Sequence, residues 1–332
     1  MGSYIVRRII TSVFIVWLVV SFSFFLIRLM PGNAMMSMYI QMLQENAGTP
    51  QQIMQQLQMI YGVNIGAPLY VQYWTYLTNV LHGDFGMSTL YPGTPVAKII
   101  DNAIPWTILS IAFSILLSFV IGNVLGVLMA YYRKSWLAGA VTAIVTVLHA
   151  IPNYIIALIA LYWFVDLHPV LPAGGAYSVM ATPGFNAAFL VSVARHLVLP
   201  TGAYVVTTLG GWALGMKSST VGALGAEYIV AANARGLRES RIVRSYVARN
   251  AILPQITGLG LTIGFMFGGS VFIETMFNYP GIGYYLITAV NGRDYSLMMA
   301  IFILTTSAVV VANLLTDLVY GKFDPRITIG KG

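Results

Sequence analysis

The chain has no cysteine and very little charge: of its 332 residues none is Cys, and only 8% are Asp, Glu, Lys or Arg. The first absence removes disulfides, thiolate metal sites and cysteine nucleophiles, and it leaves the redox compartment open. The second is more restrictive. Soluble domains carry about 25% charged and about 45–50% apolar residues, whereas 58% of this chain is hydrophobic. So few charges cannot cover a water-facing surface, and the mean hydropathy of +0.79 excludes both a cytosolic enzyme and a disordered protein. Catalytic signatures are missing too, with no His-Glu-x-x-His and no Gly-x-Ser-x-Gly. Gly210 and Gly215 hold the first two positions of a phosphate loop, but Met216 separates them from Lys217-Ser218 and breaks the junction. Gly281-Ile282-Gly283 has no strand ahead of it. The expectation is a chain that is not an enzyme, with no catalytic residue, no metal site and no cofactor of its own.

What the sequence does have is long apolar stretches. A bilayer core of about 30 Å needs about 20 apolar residues at 1.5 Å of rise each. Six stretches qualify: 9–29, 106–132, 136–165, 196–216, 255–277 and 297–320. The first is expected to stay on the chain, because it is longer than a signal-peptide core and leads into Met30-Pro31-Gly32-Asn33 instead of an Ala-x-Ala site. With the N-terminus inside, 13 of the 17 Lys and Arg fall on the cytoplasmic side, leaving Arg28, Lys98, Arg195 and Arg293 outside. That asymmetry follows the positive-inside rule. The net charge of +7 therefore reads as topology and headgroup contact, not as a nucleic-acid footprint.

Two hydrophilic segments are too long for simple connectors. In the first, 31–105, Thr49 and Pro50 look like an N-cap and first-turn pair ahead of Ile53, Met54, Leu57, Ile60 and Tyr61, which share one helical face. Val71, Tyr73, Trp74, Leu77 and Val80 repeat the pattern over 69–81, with Gly83 as a stop. A helical cap on the outer leaflet and a solvated loop with local helices both fit. The second segment, 217–253, holds six basic residues and two acidic ones, Glu227 and Glu239. Residues 227–235 read as a helix that Gly236 stops, and 238–250 as a second, basic helix that Pro254 ends. Such a helix–turn–helix can dock into a groove on a partner; a solvated topology anchor would also be basic.

Within the stretches, Gly260, Gly264 and Gly268 recur every fourth residue beside Gly269, and Gly122 with Gly126 and Gly211 with Gly215 repeat the spacing. Small faces of this kind let helix backbones approach, within the subunit or against another. Ionisable residues at depth are scarce. Glu274 and Asp317 lie near stretch ends and read as interface-anchored, and His149 precedes Pro152. Ion-coupled carriers need carboxylates near the midplane, and an intramembrane enzyme needs a polar cluster that His149 alone does not make.

The segment 227–257 resembles the cytoplasmic coupling loop of permease subunits of ATP-binding-cassette importers, in the peptide, oligopeptide and nickel branch. Tyr228, Ala232, Ala234, Gly236, Arg249, Asn250, Ala251 and Pro254 match its pattern, while Val230 stands where the loop's signature triplet has Glu. The likeness extends along the chain through Arg28-Leu29-Met30-Pro31-Gly32, Tyr70-Val71-Gln72-Tyr73, Leu81-His82-Gly83-Asp84-Phe85-Gly86 and Ile151-Pro152. It continues through Gly268-Gly269 with Glu274 and Phe277, Pro280-Gly281-Ile282-Gly283 and the tail Asp324-Pro325-Arg326-Ile327. The outer-segment pattern is similar to that of the first of the two permeases.

The resemblance implies an all-α polytopic protein of the cytoplasmic membrane, with six transmembrane helices, both termini cytoplasmic, and a helical extracytoplasmic insertion after the first. Its divisions are 1–30, 31–105, 106–320 (including a coupling loop at 217–254) and 321–332. The implied partners are a second permease, two ATPases that bind the ATP and magnesium, an extracytoplasmic solute-binding protein and membrane lipid, with no nucleic acid. Glu227, Tyr228, Ala231, Ala232, Ala234, Arg235, Gly236, Leu237 and Arg238 are the expected ATPase-coupling residues. Pro152, Gly260, Gly264, Gly268, Gly269 and Glu274 are candidates for lining the pathway or packing the helices. The cargo is peptide, with oligosaccharide or nickel as alternatives; an ion-coupled secondary transporter is the rival of another class.

Overall fold

The described residues of a computed structural model, 2–29, 34–61, 67–266 and 271–323, form helices, with one bridge between Met87 and Pro95 as their sole strand-like pairing. Helices satisfy their own backbone groups, which an apolar solvent requires. In chain order they are α1 (Gly2–Leu29), α2 (Ala34–Gln44), α3 (Pro50–Tyr61), α4 (Leu69–Leu81) and α5 (Val96–Tyr131). Next come α6 (Trp136–Ala150), α7 (Asn153–Leu167), α8 (Ala187–Leu224), α9 (Glu227–Ala234) and α10, built over 239–251 from three short helical pieces. The last are α11 (Leu253–Phe265), α12 (Val271–Met276), α13 (Ile282–Asn291) and α14 (Tyr295–Phe323). Contacts divide the chain into two units, Met1–Pro105 with Gly281–Gly332, and Trp106–Pro280.

In the first unit, the α3 start follows the chemistry of its sequence. Gln52 N donates to Thr49 Oγ1 at 3.3 Å and Thr49 N to Gln52 Oε1 at 2.9 Å, a reciprocal cap with Pro50 at the first helical position. Ile53 and Leu57, one turn apart on α3, are then fully buried with Val20 and Phe24 of α1, Val96 and Ala103 of α5, and Leu297 and Ile301 of α14. For Ile53 and Leu57, outside the six long apolar stretches, removal from water stabilises by about 1.5–3 kcal/mol each. The same unit holds a polar hub. Asp294, fully buried, caps α14: Leu297 N donates to its Oδ1 at 3.1 Å. Its Oδ2 accepts the Ser88 hydroxyl, Thr89 N at 3.0 Å and Leu90 N at 3.2 Å, tying the 88–91 loop to the helix start.

In the second unit, glycine spacing sets the closest helix approach. A Cβ on Gly122 would stand 2.6 Å from Trp212 Cβ, and one on Gly126 2.5 Å from the Ala213 carbonyl, so α5 lies directly on α8. The Gly122/Gly126 and Gly211/Gly215 pairs therefore serve packing within the subunit, Gly211 against the His149 ring and Gly215 against Gln255. His149 Nδ1 also meets the Thr207 carbonyl at 2.8 Å. Helix α8 starts where Asn186 accepts Phe189 N at 2.8 Å, and it continues to Leu224. The hydrophilic segment expected at 217–253 thus begins as helix, with Lys217 Nζ donating to Thr142 Oγ1 of α6 at 2.9 Å.

Two of the six expected stretches are not single helices. A residue before proline is pushed out of the helical region. Ile151 is accordingly extended (φ −79, ψ 126), α6 ends at Ala150, and α7 restarts past Pro152 at 94° to it. The stretch 255–277 falls into α11 and α12, with 267–270 outside the described residues. By length and composition four described helices can cross a membrane, or five with the bent pair as one. The interface-anchored reading of Glu274 is corrected: it is 1% exposed and accepts the Thr107 hydroxyl at 2.9 Å. The reason is tertiary, since Thr107 comes from a helix 167 residues away. Asp317 lies on α14, with its side chain outside the described ones.

Candidate functional site

Helix α8 stops at Gly225, and Ala226 is extended (φ −78, ψ 145). Helix α9 begins at Glu227, whose acid sits in the first turn, where the helix dipole favours it. Its end is a complete Schellman turn: Gly236 N donates to Asn233 O at 2.9 Å and Leu237 N to Ala232 O at 3.3 Å. Gly236 is left-handed there, at φ +68, a conformation that a Cβ penalises. Arg238 is extended (φ −60, ψ 136), and its carbonyl accepts Ile242 N at 3.1 Å as α10 begins.

The resulting hairpin has a small interior of its own. Ile229 and Ala232 of α9 are buried against Ile242 and Val247 of α10, with Leu224, Leu237 and Tyr246 packed around them. Of the expected coupling residues, Ala232 is therefore an internal contact at 4% exposure, and Leu237 is half-buried. Glu227, Tyr228, Ala231, Ala234, Arg235, Gly236 and Arg238 are exposed. Val230, where the resembled loop has Glu, is 65% exposed. Tyr228, Val230, Ala231 and Ala234 spread over the exposed side of α9, an apolar surface on a hairpin that carries five arginines and two glutamates.

Two connections run from the hairpin into the unit that carries it. Helix α10 packs on the end of α8, and the Tyr131 hydroxyl at the end of α5 meets the Glu239 side chain. Sequence reasoning missed both Glu239–Tyr131 and the Ile229–Ile242–Val247 interior. The three- and five-residue spacings of Ile229/Ala232 and Ile242/Val247 were the available signal.

The pathway candidates are less concentrated. Pro152 caps α7, whose Tyr154 ring lies 5.8 Å from Phe272 of α12, the helix carrying Glu274. Burial raises the Tyr279 hydroxyl pKa, and Glu274 adds to the shift. Gly260 and Gly264 lie in α11, and Gly268 and Gly269 fall outside the described residues.

Comparison with known proteins bears on what this arrangement serves. The family described as "Binding-protein-dependent transport system inner membrane component" matches residues 122–329, and its N-terminal companion, "Binding-prot-dependent transport system membrane comp, N-term", matches 1–108. The oligopeptide transport system permease protein AppB of Bacillus subtilis (strain 168) is 33% identical over 98% of this chain and 99% of its own. The chain belongs to the peptide branch of the ABC-importer permease family. The permease is also similar to the dipeptide transport system permease protein DppB of Bacillus subtilis (strain 168), at 29% over 100% of this chain and 99% of that one. The glutathione transport system permease protein GsiC of Salmonella paratyphi A matches at 29%, over 98% and 99%. The permease is an integral membrane protein whose hairpin and bent helix pair both fall inside the larger family match.

Proposed function

We infer that the permease forms half of the translocation pathway of an ATP-driven peptide importer and receives its conformational drive at the 227–238 hairpin. The observation that carries this is the hairpin itself: it has its own interior, so the surface at Tyr228, Val230, Ala231 and Ala234 is left outward for a partner. That partner is one of two ATPases, which hold the ATP and magnesium. A second permease completes the pathway, and a solute-binding protein delivers the cargo from outside. Six crossings fit the apolar stretches, with the bent α6–α7 pair as the third and the α11–α12 region as the fifth. Both termini then lie in the cytoplasm, and 31–105 faces outward. Peptide is the cargo on the strength of the oligopeptide, dipeptide and glutathione relatives.

Ala231→Arg places a long cation on the exposed surface without entering the hairpin interior. Membrane insertion should be unchanged, while co-purification of the ATPase and peptide uptake into right-side-out proteoliposomes, with ATP enclosed and peptide and binding protein added outside, should both fall at least tenfold. Wild-type uptake by this variant, or uptake driven by an ion gradient without ATP, defeats the assignment.

A further inference from the structure

We propose that the cavity between the 169–172 segment and the first turns of α8 binds the phosphate of an anionic membrane phospholipid. The cavity measures about 550 Å³, and Pro169, Leu171, Met180, Ser192, Arg195 and His196 are among the residues that line it. It is built before any ligand arrives. Arg195 Nη2 donates to the Val170 carbonyl at 3.1 Å and Ser178 N to Ser192 Oγ at 2.8 Å, so both walls are tied to α8. Farther along the same segment, Gly175 N donates to the Phe277 carbonyl at 2.8 Å.

Three observations select the ligand. First, the cavity carries a cation, and no Asp or Glu lines it. Arg195 has one donor on Val170 and no ion pair among the described residues, leaving its remaining N–H groups for oxygen atoms of an anion. Second, Arg195 lies on a lipid-type face. Val191, Arg195 and Val198 fall at four- and three-residue spacing on α8, and both valines are exposed. Arg195 also sits one residue ahead of the apolar stretch 196–216, at the depth where headgroup phosphates meet a span. Third, the segment just before the cavity wall supplies interfacial aromatics: Tyr162 and Trp163 are exposed at the end of α7, and the Trp163 ring is 5.2 Å from His168. A soluble carboxylate ligand would gain nothing from the exposed valines or the aromatic belt. A phospholipid uses all three, with its phosphate on the guanidinium and its acyl chains along Val191 and Val198. The missing carboxylate also sets the headgroup class, because nothing in the lining would hold the ammonium of phosphatidylethanolamine. The inference rests on the membrane crossing proposed for the 196–216 stretch.

The test compares lipid retention by the purified full-length permease, in its complex, from mixed micelles of equal phosphatidylglycerol and phosphatidylethanolamine, counted by native mass spectrometry. Wild type should retain phosphatidylglycerol preferentially. Arg195→Gln should weaken that retention at least tenfold, and Ala188→Phe, which fills the cavity and leaves the cation, should do the same. Lys98→Gln, an exposed cation on α5, should leave it unchanged. Equal retention by wild type and both cavity variants overturns the proposal, as does equal retention of the two lipids by wild type. Loss of solute-binding-protein capture in Arg195→Gln with lipid retention intact overturns it as well and makes the cavity a protein-docking site.

Discussion

At the start of α14 four donors converge on one buried carboxyl group, Asp294, whereas the turn between α9 and α10 is closed by two backbone bonds around Gly236 over four buried apolar side chains. Both devices fix a helix junction. They differ in how they fail. A buried polar hub holds only while every donor keeps its acceptor, since each orphaned group costs about 1–3 kcal/mol. The hairpin loses stability in graded steps and keeps most of its polar groups in solvent. A junction that must not move suits the first design, and one that meets a moving partner suits the second.

The largest expected effect comes from breaking the hub. Asp294→Ala strands the Ser88 hydroxyl and three backbone N–H groups, and should cost about 3 kcal/mol or more. The midpoint of thermal unfolding in detergent should fall sharply, and less so for Asp294→Asn, which keeps an acceptor oxygen. An Asp294→Ala chain that melts with wild type would show that the hub is dispensable. Next, Val247→Asp puts a charge into the hairpin interior and should cost on the order of 3 kcal/mol, but locally. Proteolysis within 227–251 should accelerate while insertion and the global midpoint stay put. A matching drop in the global midpoint would mean the hairpin is not the separable region described here. The smallest effect sharpens the contrast. Gly236→Val forces a branched residue into a left-handed turn at about 1–2 kcal/mol, and Gly236→Asn should cost less. Amide exchange across 233–238 should rise in that order; unchanged exchange in Gly236→Val would contradict the left-handed turn.

Local chemistry was readable in advance where it depended on neighbours in sequence. Thr49-Pro50 marks the α3 start and Gly236 the α9 stop, whereas Pro152, read inside one stretch at 136–165, breaks it at 94°. Features that join distant segments were not readable. Ser88 meets Asp294 across 206 positions, and Thr107 meets Glu274 across 167, and no periodicity encodes either pairing. Ala232 shows the same limit inside the candidate site. Its small size suited close approach to a partner, yet its methyl is spent on Ile242 and Val247, because the fold-back of α10 decides which face of α9 is interior.

Helix α8, described above as a packing surface, also has the length for a lever. Its 38 residues span about 57 Å at 1.5 Å per residue, nearly twice a bilayer core. At Gly210 it is pressed on His149 of α6. From there the arm to Leu224 beside the hairpin is about 21 Å, and the arm to Ala187 about 35 Å. Under the coupling proposed above, a rigid turn of the helix about Gly210 would return a push at the hairpin end about 1.7-fold larger, and in the opposite direction, at the far end.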